Sequence, residues 1–346
     1  MPLLVFITDM AVGGRQRFCF TLLNELAKQG VDCELYISYG GGQYLEKLDP
    51  KIKLYIAGGA IRKSIRRAHH FVGRHPNAAC LCLSTEITCV LLFLKRLGII
   101  KNPIYHRESM DVSECGLGWR WLIKLLYPRL SGLIATSQFT IDSFSRYYHL
   151  CQPVAIIRNP CLFDLESGSA KVLQKKLLSV GRLDPIKGLD RLIEAAKRHG
   201  RGWKLEIWGD GELMSELRTL KHDMELDETV KLCGYTNDVQ SIYQSGGILV
   251  VSSYHEGLPN VIIEGICCGC RVIVPECLYA SVELLGELGL TIGVVHGNFE
   301  ENLFTTADAV FASPETIWND ARTKLSNMTN VSNVAKRYIN FIREFK

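Results

Sequence analysis

No aspartate or glutamate occurs between Lys51 and Thr85, a stretch that carries seven lysines or arginines. The formal net charge of the whole chain is only +4, so this basicity is local. Within it, IRKSIRRAHHFVGRH reads either as a solvated face or as a surface for anionic lipid or an anionic acceptor. No recognised nucleic-acid motif accompanies it, so nucleic acid is not expected as a partner. No apolar run approaches the roughly 20 residues of a membrane-spanning helix. The opening MPLLVFITDM lacks a basic leader and a small-residue cleavage site, and is expected to be a strand rather than a signal peptide. The thirteen cysteines follow no framework spacing; reduced thiols and a cytoplasmic location are expected. Cys267 and Cys270 form a C-x-x-C without the second pair that a structural zinc site wants. They fall where a helix should end, beside Gly269, and there the helix dipole works against a thiolate. No D-x-D suited to hold a metal is present, and TDMAVGGRQR lacks the G-x-G-x-x-G of a nicotinamide dehydrogenase. Neither a metal nor a cofactor is expected.

What is present is a globular composition: 346 residues, 47% apolar and 22% charged, enough for two domains with their own cores. Strand-like runs alternate with amphipathic helices. LLVFI (3–7) is followed by a helix at 16–28 and by CELYIS (33–38), then by LCLS (81–84), IYHR (104–107), GLIATS (132–137) and AIIRN (155–159). The polar stretch 164–176 interrupts this order and is expected to be the domain boundary. The alternation resumes with LLSVG (177–181), KLEIWG (204–209), VKLCG (230–234), GILVVSS (247–253) and RVIVPE (271–276), with helices at 188–199, 212–223 and 260–268. The expected class is therefore α/β, with two doubly wound, Rossmann-like domains at 1–163 and 164–331. A final helix at 332–346 has Val334, Tyr338, Phe341, Ile342 and Phe345 on one stripe, with Ser332 or Asn333 as its cap.

The stretch SYHEGLPNVIIEGICCGC places Glu256 in a loop before a helix and Glu264 about one turn inside it. Pro259 fits the first turn of that helix, or Asn260 caps it. A helix N-terminus at the carboxyl edge of a parallel sheet suits an anion. A carboxylate further in suits a neutral diol such as a ribose, because a diol can donate two hydrogen bonds to it. The plainer alternative is a capping acid at Glu256 and an exposed helix acid at Glu264. Arg182 and Lys187, in a turn at the same sheet edge, are either cations for a diphosphate or solvated loop residues.

Four stretches in order carry a family likeness: VGRLDPIKGLDRLIEA, WGDGELMSELRTL, VKLCGYTNDVQSIY and SSYHEGLPNVIIEGICCGCRVIVPE. Together they resemble the C-terminal domain of family 4 glycosyltransferases, which are retaining enzymes of the GT-B fold with an E-seven-residues-E signature. The likeness covers roughly residues 177–295 and extends more weakly to TDMAVGGRQRFCFTLLNELAKQG. It implies two Rossmann-like domains facing a central cleft, with the last helix crossing back onto the first. Where the family has proline, this chain has Arg271.

The resemblance implies roles by position. Arg182 and Lys187 would bind the donor diphosphate and Glu264 the ribose. Glu256, Gly257, Leu258, Pro259 and Asn260 would surround the donor sugar. Gly13 and Gly14 match the loop near phosphate and acceptor, Gly209 a loop near the nucleotide, and Tyr235 a place beside the base. His106, expected to face the cleft, or Arg107, matches a residue near the donor sugar; a structural histidine is the alternative. The implied substrates are a UDP- or GDP-linked sugar and a glycan or lipid-linked acceptor. The basic stretch and GLGWRWLIKLLYPRL (116–130) add an anionic membrane surface as a further partner, against the alternative of a buried helix with a charged edge. A sugar-nucleotide epimerase and a non-catalytic sugar-nucleotide-binding subunit are the rival readings.

Overall fold

The computed structural model describes residues 2–11, 13–58, 61–163 and 172–345, and of 61–64 the backbone alone. Most of the expected boundary, 164–171, lies outside the described residues. The chain forms two compact units, Met1–Pro160 with Thr329–Lys346, and Cys161–Met328.

Among the described residues the first unit holds seven strands: β1 (Leu3–Ile7), β2 (Cys33–Ile37), β3 (Lys53–Ile56), β4 (Cys80–Cys82), β5 (Ile104–Glu108), β6 (Gly132–Ala135) and β7 (Val154–Ile156). They lie in the order β3-β2-β1-β4-β5-β6-β7, all parallel. Its helices are α1 (Gly14–Lys28), α2 (Ile61–Gly73), α3 (Thr85–Arg96), α4 (Leu117–Leu126) and α5 (Gln138–Ser145). The central strands are buried throughout because helices cover both faces. One core gathers Phe18, Leu22 and Leu26 of α1 with Val334, Tyr338 and Ile342. The other gathers Phe71 of α2, Leu91 of α3, Ile123 of α4 and Phe144 of α5.

The second unit holds β8 (Lys176–Val180), β9 (Lys204–Trp208), β10 (Val230–Gly234), β11 (Ile248–Val250), β12 (Arg271–Pro275) and β13 (Val294–Val295). Their order is β10-β9-β8-β11-β12-β13, again parallel. Its helices are α6 (Leu189–His199), α7 (Met214–Asp223), α8 (Val239–Tyr243), α9 (Asn260–Cys267), α10 (Tyr279–Glu287), α11 (Phe299–Ala312) and α12 (Glu315–Thr329). The last helix, α13 (Val331–Glu344), packs on α1 in the first unit. Asn330 caps α13 by accepting from the amides of Ser332 and Asn333, so neither of those two is the cap. Phe345 lies beyond α13 and is exposed.

Arg271, the residue in place of proline, has a structural task. One guanidinium nitrogen donates to the carbonyls of Val310 (2.6 Å), Phe311 (3.0 Å) and Ser313 (2.9 Å). These are carbonyls at the carboxyl end of α11, where a cation is favoured. Cys267 and Cys270 are buried at the end of α9, and the Cys270 thiol donates to the Tyr243 carbonyl at 2.8 Å. Burial pushes the Cys270 thiol pKa up, away from thiolate chemistry.

Candidate active site

The carboxyl ends of β8, β9 and β11 open onto one pocket in the second unit. Its wall runs through Val180 to Leu183, Lys187, Trp208, Val250 to Ser253, Glu256 and Val261. Three turns interlock to make it. Gly181 N–H donates to the Trp208 carbonyl (3.0 Å), Leu183 N–H to that of Asp210 (3.0 Å), and Gly209 N–H to that of Gly234 (2.9 Å). Gly209 has φ +140°, and a Cβ there would stand 1.8 Å from the Gly181 carbonyl oxygen. Only glycine fits such an approach. Gly188 has φ +58° for the same reason, with the Ser252 oxygen 2.3 Å from where a Cβ would lie.

Arg182, Lys187 and Glu256 meet in this pocket wall. The Lys187 ammonium donates to Glu256 Oε1 at 2.9 Å, and the Ser253 hydroxyl donates to the same oxygen. Arg182 Nε donates to Asp184 Oδ2 at 2.8 Å, while its side chain remains 75% exposed. Each cation thus has its own carboxylate beside it. The acids position both cations, and an incoming diphosphate would have to share them with Asp184 and Glu256.

Arg191, which the sequence reading passed over, fixes the strand exit. Its buried guanidinium donates to the carbonyls of Ser252 and Ser253, both at 2.7 Å. It also lies over the rings of Tyr254 (4.4 Å) and Phe299 (4.5 Å). The only sequence signal is a cation on a helix whose other buried positions are aliphatic or alanine.

Pro259 is the N-cap of α9 and Asn260 its first residue, one step displaced from either sequence assignment. The reason is the extended ψ of 129° at Pro259, which keeps it outside the helix. Leu258 and Pro259 are buried, and Gly257 is half-buried in the loop before them. Glu264 is 3% exposed and accepts from the Tyr243 hydroxyl at 3.1 Å. That rules out the exposed helix acid; Glu264 nonetheless stands outside the residues lining the pocket. Tyr235 follows the edge strand β10, is largely exposed, and donates to Asn237 at 2.6 Å.

Gly13 and Gly14 open α1 in the first unit, Gly13 as N-cap in an extended conformation. His106 does not face open space there. It is fully buried in β5, with Nδ1 2.8 Å from the Thr88 hydroxyl and Nε2 3.3 Å from both Glu108 and Tyr127. Arg107 is buried too, donating to Asn159 at 2.5 Å and lying 4.6 Å over the Phe18 ring. Glu108, at the end of β5, is the residue that reaches a second pocket, shared with Arg15, Glu86, Asp111 and Trp119. Burial by itself would raise the Glu108 pKa. The hydrogen bond and charge of His106, with Arg15 and the Ser109 amide, outweigh it and bring it down to about 2.

Residues 165–289 match the model of the glycosyl transferases group 1. A glycosyltransferase of Haemophilus influenzae is 27% identical over 77% of this chain and 78% of its own. From Campylobacter jejuni, the N-acetylgalactosamine-N,N'-diacetylbacillosaminyl-diphospho-undecaprenol 4-alpha-N-acetylgalactosaminyltransferase is 28% identical over 63% of this chain and 66% of its own. Among solved structures, Anabaena HepE in complex with UDP superposes with a TM-score of 0.83 at 15% identity, covering 99% of this chain and all of that one. The fold is GT-B. The group 1 match lies in the unit that carries Arg182, Lys187 and Glu256.

Proposed function

We propose that this GT-B protein transfers a hexose or N-acetylhexosamine from a UDP- or GDP-linked sugar to a hydroxyl of a glycan or lipid-linked acceptor. Transfer retains configuration, needs no bound metal, and serves the building of a bacterial surface polysaccharide. The observation that carries this reading is the Lys187–Glu256 pair, set beside Arg182 where α9 begins. The C. jejuni relative, named for a diphospho-undecaprenol-linked acceptor, supports the acceptor class.

In the proposed step the bond from the anomeric carbon to the diphosphate breaks and one to the acceptor oxygen forms on the same face. The departing phosphate oxygen takes the acceptor's proton. Negative charge grows on that oxygen, and Lys187, Arg182 and the first amides of α9 are the donors available to it. Sharing Lys187 with the diphosphate loosens its hold on Glu256, which then turns an oxygen toward sugar hydroxyls. Glu264 recognises the ribose diol, and Tyr243, which already donates to it, sets the carboxylate's orientation.

Melting-temperature shifts with UDP, GDP and ADP sugars identify the donor, and the anomeric configuration of the product reports stereochemistry. Transfer with retention, undiminished by EDTA, is expected. Conversion of donor to an epimer without acceptor would assign an epimerase instead. Binding without turnover of any donor would assign a non-catalytic subunit. Loss of activity in EDTA with rescue by Mn²⁺ would overturn the metal-free step.

A further inference from the structure

We propose that the pocket at the carboxyl end of β5 selects the acceptor by charge. It takes a neutral sugar ring and refuses a uronic acid or a phosphorylated sugar, and Glu86 is the residue that binds the sugar's hydroxyls. The proposal rests on the transferase reading and adds which acceptors that reaction takes.

The pocket is a cavity of about 140 Å³ in the first unit. An apolar cavity of about 150 Å³ holds a benzene molecule, so this one has room for about one six-membered ring. Strand order builds it. β4 lies between β1 and β5, and the segments that leave the three strands bring Arg15 of α1, Glu86 of α3 and Glu108 to one wall. Asp111 and Trp119 complete it.

The three carboxylates are not equivalent. Glu108 is fully engaged: Oε1 accepts from the Ser109 and Met110 amides, and Oε2 from the Thr85 hydroxyl, with His106 Nε2 at 3.3 Å. Asp111 caps the turn that follows, accepting from the Ser113 amide at 2.7 Å and from the Ser143 hydroxyl. Glu86 is the exception. Its Oε2 is buried and has no hydrogen-bond partner among the described residues. A buried carboxylate oxygen without a donor is costly, and a hydroxyl entering the pocket supplies one. Arg15 brings N–H donors that suit a ring oxygen or an N-acetyl carbonyl. Trp119 packs partly on the core and still lines the pocket, offering an indole to the C–H face of a sugar.

Charge decides which sugar. Three carboxylates stand against one guanidinium in the wall. Cys115, in the same wall, reports the resulting field. Burial raises its thiol pKa first, and the charges of Glu108, Glu114 and Glu86 raise it further against Arg120. A carboxylate or phosphate on the ligand would meet the same repulsion. A hydroxyl pairs with Glu86 and brings no charge of its own. Among the described residues no three histidine, cysteine or acid side chains converge as metal ligands would, so these acids suit an organic ligand.

The test titrates the full chain, without donor, with the methyl glycosides of glucose, galactose and N-acetylgalactosamine and with methyl glucuronide. Saturation-transfer difference NMR reads binding, and transfer to the same glycosides is followed in parallel. At least one neutral glycoside should bind about tenfold or more tighter than the glucuronide. Glu86→Gln, which keeps the shape and removes the charge, should weaken the neutral glycoside by about tenfold and narrow its lead over the glucuronide. Melting temperature and nucleotide affinity should stay unchanged. Trp119→Leu, which keeps an apolar side chain on the core, should weaken the neutral glycoside by about fivefold. Equal binding of neutral and acidic glycosides, binding of none, or a Glu86→Gln variant that discriminates like the parent overturns the proposal. So does a loss of nucleotide affinity in Glu86→Gln, which would place that residue with the donor. If no donor is turned over while the discrimination holds, the transferase reading falls and the pocket stands as a neutral-sugar site. If neutral and acidic glycosides accept transfer equally, the pocket proposal falls and the transferase reading stands.

Discussion

Lys187 and Glu256, 69 positions apart in the chain, meet at 2.9 Å in the wall of the second unit's pocket. The pair joins the turn after β8 to the loop before α9. Ser252 tightens the same junction, its hydroxyl donating to the Lys187 carbonyl at 2.8 Å. Arg191 holds the two serine carbonyls from beneath. The cation and the acid are therefore positioned by each other and by backbone. That is the preorganisation an electrostatic transition-state site requires.

Lys187→Ala should lower turnover by about 10²-fold or more, the usual loss when one preorganised donor is removed. Glu256→Ala should behave differently. It removes a negative charge beside the phosphate site, so affinity for free nucleoside diphosphate should hold or rise while transfer falls. Isothermal titration with the nucleotide, alongside kcat at saturating donor, separates the two. A parallel fall of affinity and turnover in both variants would remove the distinct roles given to these residues.

Glu264→Ala takes away the carboxylate to which the buried Tyr243 hydroxyl donates. A stability loss of about 1–3 kcal/mol should follow from that hydrogen bond alone. Tyr243→Phe separates structure from binding, because it loses the hydroxyl but keeps the carboxylate. The ribose assignment requires that Glu264→Gln weaken nucleotide binding more than Tyr243→Phe does. It also requires that the Glu264 effect shrink with a 2′-deoxynucleotide. Equal losses for ribo- and deoxyribonucleotides would leave Glu264 a purely structural acid.

Much of the architecture was legible because buried parallel strands are short apolar runs between polar turns. Leu3–Ile7 and Val230–Gly234 coincide with the sequence reading to the residue. β3 was missed because three of its four residues, Lys53, Leu54 and Ile56, are exposed, so no alternation marks it. β13 has only two residues. That Arg182, Lys187 and Glu256 come together was legible, because all three lie in turns at one sheet edge and line one pocket. The site was not legible around His106 and Arg107. All five residues of β5 are buried, so apolar–polar alternation cannot tell which of them opens outward. Position along the strand decides instead: Glu108, the last residue, reaches the pocket. Arg191 was invisible for a related reason, since its partners are backbone carbonyls contributed by a distant strand exit.

Gly209→Ala should be among the most damaging single substitutions in the second unit. Its φ of +140° is strained for any side chain, and the added Cβ would collide with the Gly181 carbonyl at 1.8 Å. A loss of about 2–3 kcal/mol or more is expected, with weakened nucleotide binding as the β8 and β9 turns separate. Gly286→Ala, in the last turn of α10 with nothing within 4 Å of the new Cβ, is the control. It should be neutral or stabilise by up to about 1 kcal/mol. Denaturant midpoints of the two variants test the contrast; similar midpoints would mean that the turn relaxes at little cost.

Glu108 predicts a pH dependence whose sign is fixed by its surroundings. Its carboxylate accepts from the Ser109 amide (2.8 Å), the Met110 amide (3.2 Å) and the Thr85 hydroxyl (3.2 Å), with His106 at 3.3 Å. Burial opposes ionisation, but His106, Arg15 and the amide donors prevail and bring the folded pKa from 4.5 to about 2. The folded state therefore binds this proton more weakly than the unfolded chain does. Its stabilising contribution is fully present above the unfolded pKa of 4.5 and is lost as pH falls through about 2. A depression of this size corresponds to on the order of 3 kcal/mol at neutral pH. Glu108→Gln should be less stable than the parent at pH 7, and its melting temperature should fall less between pH 5 and pH 2.5. Thermal melts across that interval decide it. Curves that stay parallel down to the acid end would show that Glu108 is not the group whose protonation loosens the first unit.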